Sequence, residues 1–143
     1  MANTIFKANV KWSGKGVYSE GTSRDFKVGL DEPKDLGGTD TAMNPVEMLL
    51  NALGGCMTIC AAAFAKKCGV DLKGCNVDIE GDLDPEGFLG INPDVRTGYQ
   101  EIRYKINIDS PSPKENIEKL IELIEARCPV SDTLKGVKVA CKI

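Results

Sequence analysis

Histidine is absent from this 143-residue chain, which removes the usual proton shuttle, general base and nitrogen metal ligand. Aromatics are scarce at 6%, and no basic run is interleaved with them, so nothing offers a stacking platform for bases. The net charge of −3 gives no electrostatic footprint for nucleic acid, and none is expected as a partner. No repeat, no low-complexity segment and no Cys-x-x-Cys knuckle occurs. Without His or a knuckle, a zinc set built from Cys56, Cys60, Cys68 and Cys75 is disfavoured. The N-terminal residues lead directly into a strand pattern, with no secretory h-region.

What the chain does have is sulfur. Six cysteines is a high count without the dense framework of a small secreted scaffold, so free thiols in a reducing cytoplasm are expected. With 42% apolar and 27% charged residues, the composition is that of one globular domain spanning 1–143. Met48 to Ala65 carries no charge and approaches the length of a membrane span. Its Asn51, Gly54-Gly55, Thr58 and alanines make it small rather than greasy, so a buried helix is expected and no membrane.

The hydrophobic periods lay out the elements. Phe6, Ala8, Val10 and Trp12 alternate with polar residues, as do Phe26, Val28 and Leu30, each a half-buried strand. Between them Gly14-Lys15-Gly16 offers a turn, and Val17-Tyr18 resumes an extended run. Residues 31–43 read as a loop. Asn44 is placed to cap a helix, with Pro45 at its first position and Glu47 where a capping-box acid belongs. That helix reaches Lys66-Lys67 and stops at Gly69. Val77 to Leu83 and Ile102 to Ile108 alternate as strands, and residues 84–98 form an irregular connection. Ser112-Pro113-Lys114-Glu115 is a capping box for a helix carrying Ile117, Leu120, Ile121 and Ile124. A short helix from Pro129 ends near Gly136, and Val137, Val139 and Cys141 finish as a strand. The order β-β-β-α-β-β-α-α-β predicts an α+β fold with a mainly antiparallel sheet packed on a long central buried helix. One sheet face cannot bury a helix apolar on all sides, so a homodimer is inferred.

Two cysteines sit in helix-start settings. Cys128 precedes Pro129, and Cys56 follows a glycine pair able to break its helix. A thiol at a helix N-terminus faces unpaired N–H groups that favour the thiolate. The alternative is that both are buried structural thiols, the reading that suits Cys141, with Cys60 one turn beyond Cys56 either core or a further thiol partner.

The pattern Asn44-Pro45-Val46-Glu47-Met48-Leu49-Leu50-Asn51-Ala52-Leu53-Gly54-Gly55-Cys56, followed by Cys128-Pro129-Val130-Ser131, resembles the OsmC/Ohr family of osmotically inducible and organic-hydroperoxide-resistance proteins. The resemblance implies an intertwined α+β homodimer that reduces organic hydroperoxides with two cysteines, an arginine and a glutamate. On this chain it makes Cys56 the attacking and Cys128 the resolving thiol. Arg24, alone among arginines before the cysteine motif, and Glu47 take the other two roles. Glu47 equally fits a cap, and Arg24 a surface charge beside Asp25. The implied reductant is an external dithiol such as a lipoylated protein, and no metal or tightly held organic cofactor is required. A ligand-binding module and a thiol or sulfur carrier are the rival readings.

Overall fold

A computed structural model describes residues 1–142, in which two compact units divide the chain, one spanning Met1–Leu49 and the other beginning at Leu50.

In the first unit, three strands form an antiparallel meander in the order β1-β2-β3: β1 (Asn9–Trp12), β2 (Ser19–Ser23) and β3 (Phe26–Leu30). Val10 lies opposite Gly21 and Gly21 opposite Val28, so the apolar alternation of β1 and β3 falls on one face. Val10, Trp12, Phe26 and Val28 on that face remain exposed. The strand expected from Phe6 begins only at Asn9, because β2 pairs with β1 no further back than Asn9. The loop after β3 is tied to Asp31, which is 2% exposed. The Thr39 N–H and hydroxyl donate to its Oδ2 at 3.2 and 2.6 Å, and those of Thr41 at 3.1 and 2.9 Å. These hydrogen bonds, that of the Thr39 hydroxyl foremost, hold the Asp31 carboxyl well below the usual carboxylate range against the opposing effect of burial.

Helix α1 (Pro45–Phe64) starts in that unit and continues into the second. Its N-terminus is a capping box. The Asn44 N–H donates to Glu47 Oε2, and the Glu47 N–H donates to Asn44 Oδ1, both at 2.9 Å. A 3₁₀ turn over Lys66–Cys68 follows, closed by Gly69 at φ +70°, where a stop was expected.

The second unit packs α1 with α3 (Lys114–Arg127) on the antiparallel pair β4 (Gly74–Leu83) and β5 (Tyr99–Asp109). Leu53, Met57, Cys60 and Ala61 of α1 meet Leu120 and Ile124 of α3 in the core. Val77 and Ile79 of β4, with Ile102 and Ile106 of β5, close it from the sheet side. The opposite face of the strands carries Asp78, Glu80 and Asp82, with Arg103 bound to Glu80 and Asp82 at 3.0 and 2.6 Å. Gly81 is required by a close approach, since a Cβ there would lie 2.7 Å from the Tyr99 ring. By length and composition α1 could cross a membrane, with a mean hydropathy of 1.5, yet one of its faces belongs to this core.

Three expectations are corrected and one open alternative is decided. The glycine pair, able to break the helix or to permit a close approach, leaves α1 unbroken to Phe64. Gly54 instead lets the helix approach the sheet, because a Cβ there would sit 3.0 Å from Ile79 Cδ1. Burial of α1 is one-sided within the chain, with Ile59 71% exposed. Ser112 does not cap α3, since its hydroxyl accepts the Asp71 N–H at 2.8 Å and Pro113 precedes the first turn. Val137 to Cys141 forms no strand, because among the described residues no neighbouring strand pairs with it, and Val139 is exposed. One element was not foreseen. Helix α2 (Pro85–Leu89) interrupts the connection, with the Glu86 N–H donating to Asp84 Oδ1 at 3.0 Å.

Candidate functional site: a buried thiol cluster

Cys128 links α3 to the short helix α4 (Pro129–Leu134). Its extended backbone and the proline at the first helical position make it the N-cap, and Ser131 N–H donates to its Sγ at 3.4 Å. The residue is 1% exposed and lies in the core cluster with Cys60, against which Cys56 packs. Cys56 lies close enough to Cys128 and to Cys60, one helical turn along α1, to bear on the ionisation of both. Three sulfurs distant in sequence thus converge, with Cys56 common to both contacts. All six cysteines are free thiols.

The electrostatics differ from the helix-start expectation. Cys56 is mid-helix in α1, so its own helix offers it no free N–H groups. Cys128 does receive the N–H groups of Ser131 and Val130, which pull its pKa down. Burial outweighs them, and the hydrogen bond and charge of Cys56 add to it, so the Cys128 thiol is pushed up. Burial thus favours the thiol form of Cys128 over the thiolate. Cys60 is also pushed up, by burial first and the Cys128 charge second, while its contact with Cys56 acts in the other direction.

Two neighbours escaped the sequence reading. The Tyr104 hydroxyl on β5 donates to Glu125 Oε1 on α3 at 2.9 Å. Burial, Glu125 and the Cys128 charge push that phenol up, in that order. The available signal was helical spacing, since Glu125 lies three residues before Cys128 and so on its side of the helix.

The remaining sequence-derived candidates belong to the first unit. Glu47 is engaged in the capping box described above. Arg24 is exposed in the two-residue turn between β2 and β3, at φ +54°, a conformation uncommon for a residue with a Cβ. Its guanidinium stacks 4.8 Å from the centre of the Phe26 ring. Among the described residues no group of three or more His, Cys, Asp or Glu side chains is arranged to hold a metal ion.

Over 116 residues the chain is 29% identical to a hydroperoxide reductase of Mycoplasma genitalium, spanning 80% of this chain and 76% of that protein. It is 25% identical over 145 residues to the uncharacterized protein YmaD of Bacillus subtilis, spanning 95% and 90%. The fold matches the crystal structure of an OsmC-like protein from Mycoplasma pneumoniae with a TM-score of 0.81 at 23% identity, covering 95% of this chain and 91% of that one. The profile of the OsmC-like protein family matches residues 38–142, and the chain belongs to that family.

Proposed function

We propose that this protein is a thiol peroxidase for organic hydroperoxides. The observation that carries the reading is the contact between the Cys56 and Cys128 thiols, brought together from α1 and the start of α4. The Cys56 thiolate attacks the distal peroxide oxygen, releasing an alcohol and leaving a sulfenic acid on Cys56. The Cys128 sulfur then attacks that sulfur, its thiol proton leaving with the sulfenic hydroxyl as water, and a Cys56–Cys128 disulfide forms. An external dithiol, of which a lipoyl group is the family-derived example, reduces the disulfide and restores both thiols. The hydroperoxide reductase names of two relatives, from Mycoplasma genitalium and Mycoplasma pneumoniae, support a peroxide-related role.

The apolar helix walls that two copies of α1 would bring together favour an alkyl peroxide over hydrogen peroxide. Arg24 is assigned the peroxide-orienting role, supported by its unfavourable backbone conformation, a feature that clusters at working sites. Glu47 is assigned to the helix cap. Free thiols suit a reducing, cytoplasmic compartment. The working form is a homodimer, supported by the exposed apolar residues on β1 and β3 and, separately, by Ile59 on α1.

One equivalent of cumene hydroperoxide, followed by intact-mass measurement and peptide mapping, tests the chemistry. Prompt loss of two hydrogens and a Cys56–Cys128 disulfide are expected. Unconsumed peroxide with both thiols still reduced would overturn the peroxidase reading in favour of a ligand-binding site.

A further inference from the structure

Cys128 stands at a joint between two helices. Its N–H donates to the Ile124 carbonyl at 3.0 Å and closes the α3 ladder, while its own carbonyl accepts the Asp132 N–H at 3.1 Å and opens α4. Where its sulfur sits is therefore set by where the last turn of α3 is held. The core grips that turn through the buried Ile124. A second hold comes from the sheet. Tyr104 lies on the same face of β5 as Ile102 and Ile106, which pack on the core, and pairs across the strands with Ile79 of β4. From there its hydroxyl donates to Glu125 Oε1 at 2.9 Å, so a hydrogen bond straps β5 to the last turn of α3. Glu125 precedes Cys128 by three residues, and side chains at that spacing are neighbours, with Cβ atoms roughly 5–6 Å apart.

We infer that Tyr104 and Glu125 are positioning residues for Cys128, their hydrogen bond between β5 and α3 fixing the helix junction that carries the resolving sulfur. The purpose rests on the peroxidase reading, in which Cys128 must reach the Cys56 sulfenic acid before another nucleophile does, though the strap itself does not. Ile79, the cross-strand partner of Tyr104, lies against Gly54 of α1, where a Cβ would be 3.0 Å from its Cδ1. One stretch of the sheet thus touches both the helix that carries Cys56 and the helix that leads to Cys128. It serves as a common reference for the two sulfurs. Burial first, then Glu125 and the Cys128 charge, keep the phenol protonated, so it goes on donating when Cys128 ionises.

Three substitutions test the strap. Tyr104→Phe keeps the ring and removes the donor, Glu125→Ala removes the acceptor, and Glu125→Gln keeps an acceptor oxygen. Labelling of the reduced protein with methyl methanethiosulfonate, mapped by peptide mass spectrometry, reads each thiol separately. Cys128 is 1% and Cys60 7% exposed, so both react only when the structure opens, and Cys60 reports on the core at large. Tyr104→Phe and Glu125→Ala are each expected to label Cys128 roughly fivefold faster, as the loss of one hydrogen bond allows, with Cys60 unchanged. The double variant is expected to match either single one, because the two residues act through one bond. Glu125→Gln is expected to stay within about twofold of the parent. With cumene hydroperoxide and dimedone together, Tyr104→Phe is expected to trap more Cys56 sulfenic acid, and form less disulfide, than the parent. A Cys128 labelling rate unmoved by Tyr104→Phe would overturn the inference, and so would a parallel rise at Cys60, the mark of general loosening. A parent that leaves peroxide unconsumed counts against the peroxidase reading alone, because labelling needs no turnover and still decides the strap.

Discussion

Asn44 and Glu47 exchange two hydrogen bonds of 2.9 Å across the first turn of α1, each backbone N–H donating to the other's side chain. Reciprocal caps of this kind contribute on the order of 1 kcal/mol. Glu47→Ala is expected to lower stability by about that amount in urea denaturation, and Glu47→Gln by about half as much. Peroxide consumption per folded molecule is expected to be unchanged in both. A large rate loss without a stability loss would return Glu47 to the reacting centre.

Arg24 yields to a similar separation. Its φ of +54° in a two-residue turn is strained for arginine and comfortable for glycine. Arg24→Gly is therefore expected to raise stability by up to about 1 kcal/mol while slowing peroxide consumption by roughly tenfold. A turn residue with no other role would give the gain in stability alone.

The hydrogen bonds to Asp31 make an acid-sensitive clamp on the loop after β3. Its folded-state pKa lies below the ordinary value of 3.8. The unfolded chain therefore takes up a proton at a higher pH than the native one. The clamp's stabilisation is complete above pH ~4 and declines steadily as the pH falls below it. Thermal melts are expected to show this decline in the parent and a shallower one in Asp31→Asn, with a lower melting temperature at neutral pH. A parallel pair of curves would show that the clamp contributes nothing to the acid limb.

The alkaline side should show the opposite sign, set by the thiols. Cys60, Cys75 and Cys128 all have folded-state values raised above 9.0, chiefly by burial. Unfolding exposes them to ionisation, so stability is full below pH ~9 and falls as the pH rises beyond it. Cys128→Ser is expected to flatten that fall. With one equivalent of cumene hydroperoxide the same variant is expected to hold a dimedone-reactive sulfenic acid on Cys56 in place of the disulfide. Dimedone labelling that appears instead on Cys60 would move the attacking role one turn along α1.

Much of this was legible in the residues. Period-two alternation marked β4 and β5 because one face packs on α1 and α3 while the other carries Arg103 and its acidic partners. The cap at Asn44 and Glu47 was legible because its hydrogen bonds are local. Helix α2 carried its own signals, an Asp84 N-cap, Pro85 and Gly90, but five residues are too few to establish a helical period. Gly54-Gly55 was ambiguous for a physical reason. A glycine pair weakens a helix and also permits a close approach, and only the position of Ile79 across from Gly54 decides between them. Tertiary contact likewise decided the thiols, since burial of Cys128 outweighs its N-cap hydrogen bonds and no local pattern records burial.

Val137, Val139 and Cys141 keep strand periodicity yet pair with nothing among the described residues, and Val137 and Val139 are exposed. Ile59 stands exposed on α1 within a run of Ala62 and Ala63, a surface without charge. Such surfaces are what a second copy of the chain would cover. Sedimentation equilibrium is expected to report twice the chain mass at micromolar concentration. In a two-fold interface Ile59→Glu acts twice, so losing about 2 kcal/mol of burial at each copy weakens association by roughly 10³-fold. The variant should sediment as a monomer with its α-helical circular dichroism retained. An unaltered dimer in Ile59→Glu would place the interface elsewhere, and a monomeric parent would remove the dimer from the account.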